Sequence, residues 1–184
     1  MCFDKELYKE FLEGSTEAFE KLVIKHKNNL IFFIERYIND FQEAEDIAQE
    51  VFAYVYAFKE KYNPKYSFST YIYTIARNKA IDYLRKNKKR YLIDHRDFDH
   101  ISDDSELEEA LLAKEDRRAL LHALRTLKDE QQAAIYLIDF MDMSYKEAMK
   151  VLNKTLPQFK ILLYRARQAL RLNLEKEGVN YEKR

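Results

Sequence analysis

A chain of 184 residues has room for one medium domain or two small ones, and two glycines and two prolines are too few for a turn-rich β-fold, so the expectation is all-α. Basic and acidic residues balance at 32 each, which excludes a global field drawing the chain onto nucleic acid. A single cysteine, Cys2, excludes an internal disulfide framework, and no apolar run approaches the roughly 20 residues of a membrane span; the chain reads as soluble and cytoplasmic, with no signal peptide and no membrane insertion.

The charges are segregated along the chain. Residues 77–96 carry eight basic and two acidic groups, 94–116 ten acidic and two basic, and 144–184 ten basic and four acidic. A basic, acidic, basic order points to two anion-binding surfaces with a repelling connector between them, although a single charge run is more often a solvated face.

Apolar residues recur at helical spacing almost throughout. Ser15 precedes a stripe of Ala18, Phe19, Leu22, Val23 and His26, which predicts a helix starting near residue 15, with a second helix over 30–38. Residues 42–58 form the clearest amphipathic helix, with Ala44, Ile47, Ala48, Val51, Phe52 and Val55 at steps of three and four. Asn63-Pro64 breaks the pattern, and Ser67 or Ser69 is placed to cap a following helix that runs to about Lys89. Residues 91–105 lose periodicity, are rich in Asp and His, and read as a flexible linker.

Periodicity resumes near Leu107 and gives a stripe at Leu120, Leu121, Leu124 and Leu127, then a helix over 130–140. Ser144 and Glu147 have capping-box spacing. Asn153-Lys154-Thr155 is a short turn, and Pro157 fits the first turn of a long helix over 156–175. Two helices joined by such a turn, the second longer and basic, form a helix-turn-helix. On its wheel Phe159, Leu163, Ala166 and Leu170 face the core, while Gln158, Ile161, Tyr164, Arg165 and Gln168 face outward. Lys160, Arg167 and Arg171 are placed for phosphates. Many small helical proteins contain such a pair, so by itself it leaves DNA binding open.

The two halves together resemble the bacterial RNA polymerase sigma factor family, extracytoplasmic-function (ECF) group, in the family's own order. AEDIAQEVF at 44–52 is similar to its core-binding segment, and FSTYIYTIARNKAIDYLRK at 68–86 to the helix that meets the −10 promoter element. LKDEQQAAIYLIDFMDMSYKEAMKVL at 127–152 and KILLYRARQALR at 160–171 resemble the domain that reads the −35 element. The resemblance runs from about residue 7 to 174 and implies two small helical domains joined by a flexible acidic linker, the C-terminal one containing the helix-turn-helix. Its boundaries are 1–92 for region 2, 93–112 for the linker, 113–175 for region 4 and 176–184 for a tail.

The resemblance implies a transcription initiation factor, not an enzyme, with polymerase core and promoter DNA as partners; family analogy adds an anti-sigma factor. Glu45, Asp46, Gln49 and Glu50, off the apolar stripe, would dock on core. Asn63, Lys65, Phe68, Tyr71, Thr74, Arg77 and Asn78 would take the melted −10 element: unstacking a base costs a few kcal/mol, and an aromatic face returns about 1–3 kcal/mol. Thr155, Gln158, Lys160, Ile161, Tyr164, Arg165 and Gln168 would read duplex −35 DNA. The acidic linker would thread into the polymerase; a plain tether is the alternative. Tyr71 stands where the family often has Trp, and Asp142 where it usually has Gly, a place where Asp tolerates a left-handed turn. Ile161 and Leu162 replace polar residues, so Ile161 would meet a thymine methyl and −35 specificity is not carried over from the family.

The rival reading within the class is a helix-turn-helix regulator that is not a polymerase subunit; a helical adaptor would leave the basic surfaces unexplained. No phosphate-cradling glycine loop or nucleophile–base pair is present, and His26, His95, His100 and His122 fit no metal spacing, so no cofactor or metal is expected.

Overall fold

The computed structural model describes residues 2–87 and 119–177. The expected linker at 93–112 and the tail beyond Glu177 lie outside the described residues, as do residues 88–89 of the helix expected to reach Lys89. The described residues are helices and turns, with no strand.

Four helices form the N-terminal module: α1 (Cys2–Leu12), α2 (Thr16–Ile38), α3 (Phe41–Ala57) and α4 (Phe68–Lys86), with a 3-10 turn at Lys59–Lys61. Local chemistry fixes their ends. Gly14, at φ +112°, makes the turn from α1 to α2, a conformation that L side chains rarely adopt. Ser15, Asp40 and Ser67 accept from the backbone N–H groups of Ala18, Glu43 and Thr70 at 3.2, 3.1 and 3.2 Å and so cap α2, α3 and α4. Asn39, left-handed at φ 55°, ends α2 by donating to the Glu35 carbonyl at 2.8 Å.

The two helices expected before residue 38 are one. Lys25 to Asn29 contains neither Gly nor Pro, so nothing interrupts the backbone ladder, and His26 and Leu30 are both buried along the same helix. Helix α1, unforeseen from the sequence, buries Leu7, Tyr8 and Phe11 against α2 and the turn after α3.

The C-terminal module contains a helical stretch at 119–125, then α5 (Asp129–Ile135), α6 (Tyr145–Val151) and α7 (Leu156–Lys176). The helix expected over 130–140 changes character midway: residues 136–140 widen into a π-helical turn in which Met141 N–H donates to the Tyr136 carbonyl at 3.0 Å. Asp142 is left-handed at φ 51°, as is Asn153 at φ 50° in the turn between α6 and α7. Ser144 and Glu147 complete the capping box of α6: Ser144 N–H donates to Oε2 at 3.1 Å and Glu147 N–H to the Ser144 hydroxyl at 3.3 Å.

The modules do not stand apart. α6 packs on α4, α5 packs on α2, and buried residues of both halves form one continuous apolar cluster. Phe33 of α2 lies at its centre, with ring centroids 4.9 Å from Tyr73 of α4 and 6.1 Å from Tyr136.

Candidate nucleic-acid and partner interfaces

Three surfaces hold the residues singled out from the sequence. The first is the outer side of α3. Its apolar stripe (Ala44, Ile47, Ala48, Val51, Phe52 and Val55) is buried as expected, which turns Asp46, Gln49 and Glu50 to the exterior. Glu45 is half-buried and pairs with Lys27 at 2.9 Å; Glu50 pairs with Lys79 at 2.6 Å. The patch is acidic, and two of its charges are anchored to neighbouring helices, which fixes its shape.

The second surface is α4 with the loop before it. Asn63 and Lys65 are exposed, and the Asn63 side chain accepts from Lys65 N–H at 3.0 Å, an Asx turn. Phe68 does not belong to this surface. It is 1% exposed, with its ring centroid 5.5 Å from Tyr8 and 5.3 Å from His26, so its faces are spent in the core. The sequence reading placed Phe68 among the −10 residues, but the first turn of a capped helix presents residues to both sides, and Phe68 falls on the inner one. Tyr73 is likewise fully buried. Tyr71 is half-buried, 5.3 Å from the Tyr62 ring. The Thr74 hydroxyl donates back to the Thr70 carbonyl at 2.6 Å. Asn78 is exposed.

Arg77 is largely covered, its side chain 13% exposed, and it faces Glu130 of α5 at 3.8 Å. Its Nε, like the hydroxyls of Tyr37 and Tyr71, is buried without a hydrogen-bond partner among the described atoms. Burial raises the Tyr37 hydroxyl well above the ordinary tyrosine value, with Arg77 acting in the opposite sense.

The third surface is α7. Phe159, Leu163 and Ala166 are buried, and Leu170 is half-buried at the margin of the core. Thr155, Gln158, Lys160, Ile161, Tyr164, Arg165 and Gln168 are all exposed on the outer side, Ile161 by 52% and Tyr164 by 66%. Gln158 fixes the start of the helix by accepting from Thr155 N–H at 3.0 Å. Two neighbouring cations are held within the chain. Arg167 donates from Nε to Asp139 at 3.3 Å and Arg171 to Glu175 at 2.8 Å, so phosphates would compete with those carboxylates for both groups.

Sequence reasoning missed Glu130, and it read Glu147 and Ser67 only as capping residues, without their bond to each other. Glu147 Oε2 serves the α6 cap, while Oε1 accepts from the Ser67 hydroxyl of the α4 cap at 2.7 Å. The capping-box spacing accounts for Glu147 locally, so nothing in the sequence signals its second oxygen's partner, 80 residues away. Among the described residues no group of His, Cys, Asp and Glu is arranged to hold a metal, and no helix is long and apolar enough to cross a membrane.

Among known families, residues 22–90 match sigma-70 region 2 and residues 117–170 match sigma-70 region 4. The chain is 30% identical to the ECF RNA polymerase sigma factor SigW of Bacillus subtilis over 92% of its length and 96% of that protein. It is 31% identical to SigM of the same organism over 85% and 94%. The sigma factor RpoE of Bartonella quintana, solved in complex with the anti-sigma factor NepR, shares the fold with a TM-score of 0.67 at 20% identity, over 87% of this chain and 98% of that one. A region 2 match ending just beyond α4, a region 4 match ending on α7, and two relatives matched over nearly their whole length leave one assignment: the chain belongs to the ECF family of RNA polymerase sigma factors, initiation factors that direct the polymerase to promoters.

Proposed function

We propose that the three surfaces divide the work of promoter recognition. The α3 patch of Glu45, Asp46, Gln49 and Glu50 docks on core polymerase. Asn63, Lys65, Tyr71, Thr74, Arg77 and Asn78 engage the melted −10 element, Tyr71 by stacking and the polar groups by holding the strand. Thr155, Gln158, Lys160, Ile161, Tyr164, Arg165 and Gln168 engage duplex −35 DNA. Region 2 occupies residues 1–92 and region 4 residues 113–175, joined by the acidic connector at 93–112.

The observation that carries this reading is the α7 face. It is a run of polar, basic and apolar-tipped side chains, exposed along one side of a helix that begins at a helix-turn-helix turn. A helix of that kind fits the major groove, where Arg and Gln reach base edges and phosphates and Ile161 meets a thymine methyl. The role is binding, not catalysis, and its place is the cytoplasm, where core polymerase and the chromosome are. RpoE of Bartonella quintana has an anti-sigma partner; a protein of that class is a candidate partner here.

Run-off transcription with purified core enzyme on genomic fragments tests the assignment. Added protein should yield discrete transcripts absent with core alone, and Asp46→Ala should weaken both transcript yield and co-elution with core. An Asp46→Ala protein that co-elutes like wild type would remove the α3 patch from the interface. Transcripts unchanged by added protein would remove the promoter-directing role.

A further inference from the structure

Lys160, Arg165, Arg167 and Arg171 lie along the exposed side of α7, and they are not equally free. Lys160 and Arg165 have no ion-pair partner among the described residues. Arg171 is held by Glu175 at 2.8 Å, one turn further along its own helix, an ordinary i, i+4 pair. Arg167 is held differently. Its guanidinium forks onto Asp139, 28 residues away, with Nε donating to Oδ2 at 3.3 Å and Nη2 to Oδ1. Asp139 belongs to the π-helical turn that follows α5, and α5 packs on α7. Tyr136 and Leu137 of that turn are buried, whereas Asp139 is exposed beside α7. Widened turns of this kind are frequent at functional sites. The fold does not depend on the pair: its side chains are 48% and 36% exposed, and exposed ion pairs add little stability. A guanidinium fork takes two carboxylate oxygens as it would take two phosphate oxygens. Asp139 therefore stands at Arg167 where a DNA phosphate would stand.

We propose that Asp139 is an internal counter-anion that withholds Arg167 from the DNA backbone, so that α7 grips duplex of any sequence with one cation fewer and leans more on its base contacts. This rests on the assignment of α7 to duplex DNA. The physical basis is the counterion atmosphere of the duplex. Each phosphate neutralised by a free cation releases about one ion, and that gain does not depend on sequence. A guanidinium already neutralised by a carboxylate releases none. If a phosphate displaced Asp139, the freed carboxylate would face the like charge of the backbone, so the exchange brings little. The base-edge contacts expected of Gln158, Ile161 and Arg165 are untouched by the pair, and they are the ones that carry sequence information. Asp139 thus lowers the sequence-independent part of the affinity and leaves discrimination to the base edges.

A double-mutant cycle read through salt dependence tests it. Holoenzyme rebuilt from core and full-length variants is titrated, across a salt series, onto a fluorescent promoter duplex and onto the same duplex with its −35 element scrambled. Asp139→Asn removes the charge and keeps the shape. It should tighten both duplexes several-fold and steepen the slope of log affinity against log salt by about one unit. Asp139→Glu, which keeps the carboxylate, should stay near the wild-type slope. Arg167→Gln should flatten the slope by about one unit in the Asp139→Asn background and by clearly less in the wild type, because only the released guanidinium meets a phosphate. An Asp139→Asn slope equal to that of wild type, or an Arg167→Gln loss that is the same in both backgrounds, overturns the proposal. If thermal unfolding shows Asp139→Asn to be misfolded, Asp139→Ser carries the same expectation and the same overturning results. Arg165→Ala separates the two levels. If it flattens the slope while Asp139→Asn leaves it unchanged, the counter-anion is refuted and the duplex assignment stands. If neither substitution moves the slope, α7 does not meet the duplex, and the parent assignment falls together with the proposal.

Discussion

Helices α4 and α7 carry similar inventories, each about twenty residues of interleaved aromatics, bases and amides, yet their polar faces have opposite fates. On α7 the outer face meets solvent along its length, with Tyr164 and Ile161 more than half exposed. On α4 the corresponding groups are consumed within the protein: Thr74 by its own helix, Arg77 by Glu130, Tyr71 by Tyr62. A basic, aromatic helix is therefore not by itself an available surface. Availability is set by what else in the chain has complementary carboxylates and enough apolar area to cover it.

The largest effect on this contrast should come from Phe33→Ala. Phe33 is fully buried and touches Tyr37, Tyr73 and Tyr136, so it supports α4 and the module above it together. Truncating a buried Phe costs about 3–5 kcal/mol. Urea unfolding should show a loss of that order, and amide exchange should quicken in α4 and α5 before it does in the outer turns of α7. A loss below about 0.5 kcal/mol, the range of a surface substitution, would mean that the shared cluster does not hold the two modules together.

How much of this was legible beforehand follows from the range of each interaction. Caps are local, so Ser15 and Ser144 could be read directly and the cap of α4 narrowed to Ser67 or Ser69, of which Ser67 serves, and the α3 stripe followed from period alone. The left-handed Asp142 was also foreseeable, because a short side chain that tolerates that region stands in a turn. Phe68 was misassigned because its neighbours Tyr8, His26 and Tyr62 come from three other segments, none of which the local pattern around residue 68 mentions. The contact between the modules was invisible for the same reason. Ser67 and Glu147 each have a complete local explanation as capping residues, and only the fold shows that they also bond to each other.

A smaller and more selective effect should follow from Arg165→Ala. Arg165 is exposed on the open helix, so the substitution should spare stability and act on promoter affinity alone. Removing one cation from a DNA phosphate lowers the slope of log affinity against log salt by roughly one unit. Titrating holoenzyme onto fluorescent promoter duplex at several salt concentrations gives that slope. If it matches wild type, Arg165 touches no phosphate and the contrast between open and covered helices loses its functional meaning.

The smallest expected effect concerns the charge that joins the two helices' modules. Burial pushes the Glu147 carboxyl up, but the Ser67 and Ser144 hydroxyls and the Ser144 N–H more than offset it, so its folded value lies below the ordinary 4.5. A carboxyl depressed on folding contributes stability above its unfolded value, and that contribution disappears as pH falls through the folded one. Glu147→Gln keeps a capping-box side chain but removes the charge. The stability difference between wild type and Glu147→Gln should therefore be constant from pH 7 to about 5 and shrink progressively below 4.5. Parallel stability curves down to acid pH would show that the carboxylate charge contributes nothing, leaving the two modules to be held together by apolar contacts alone.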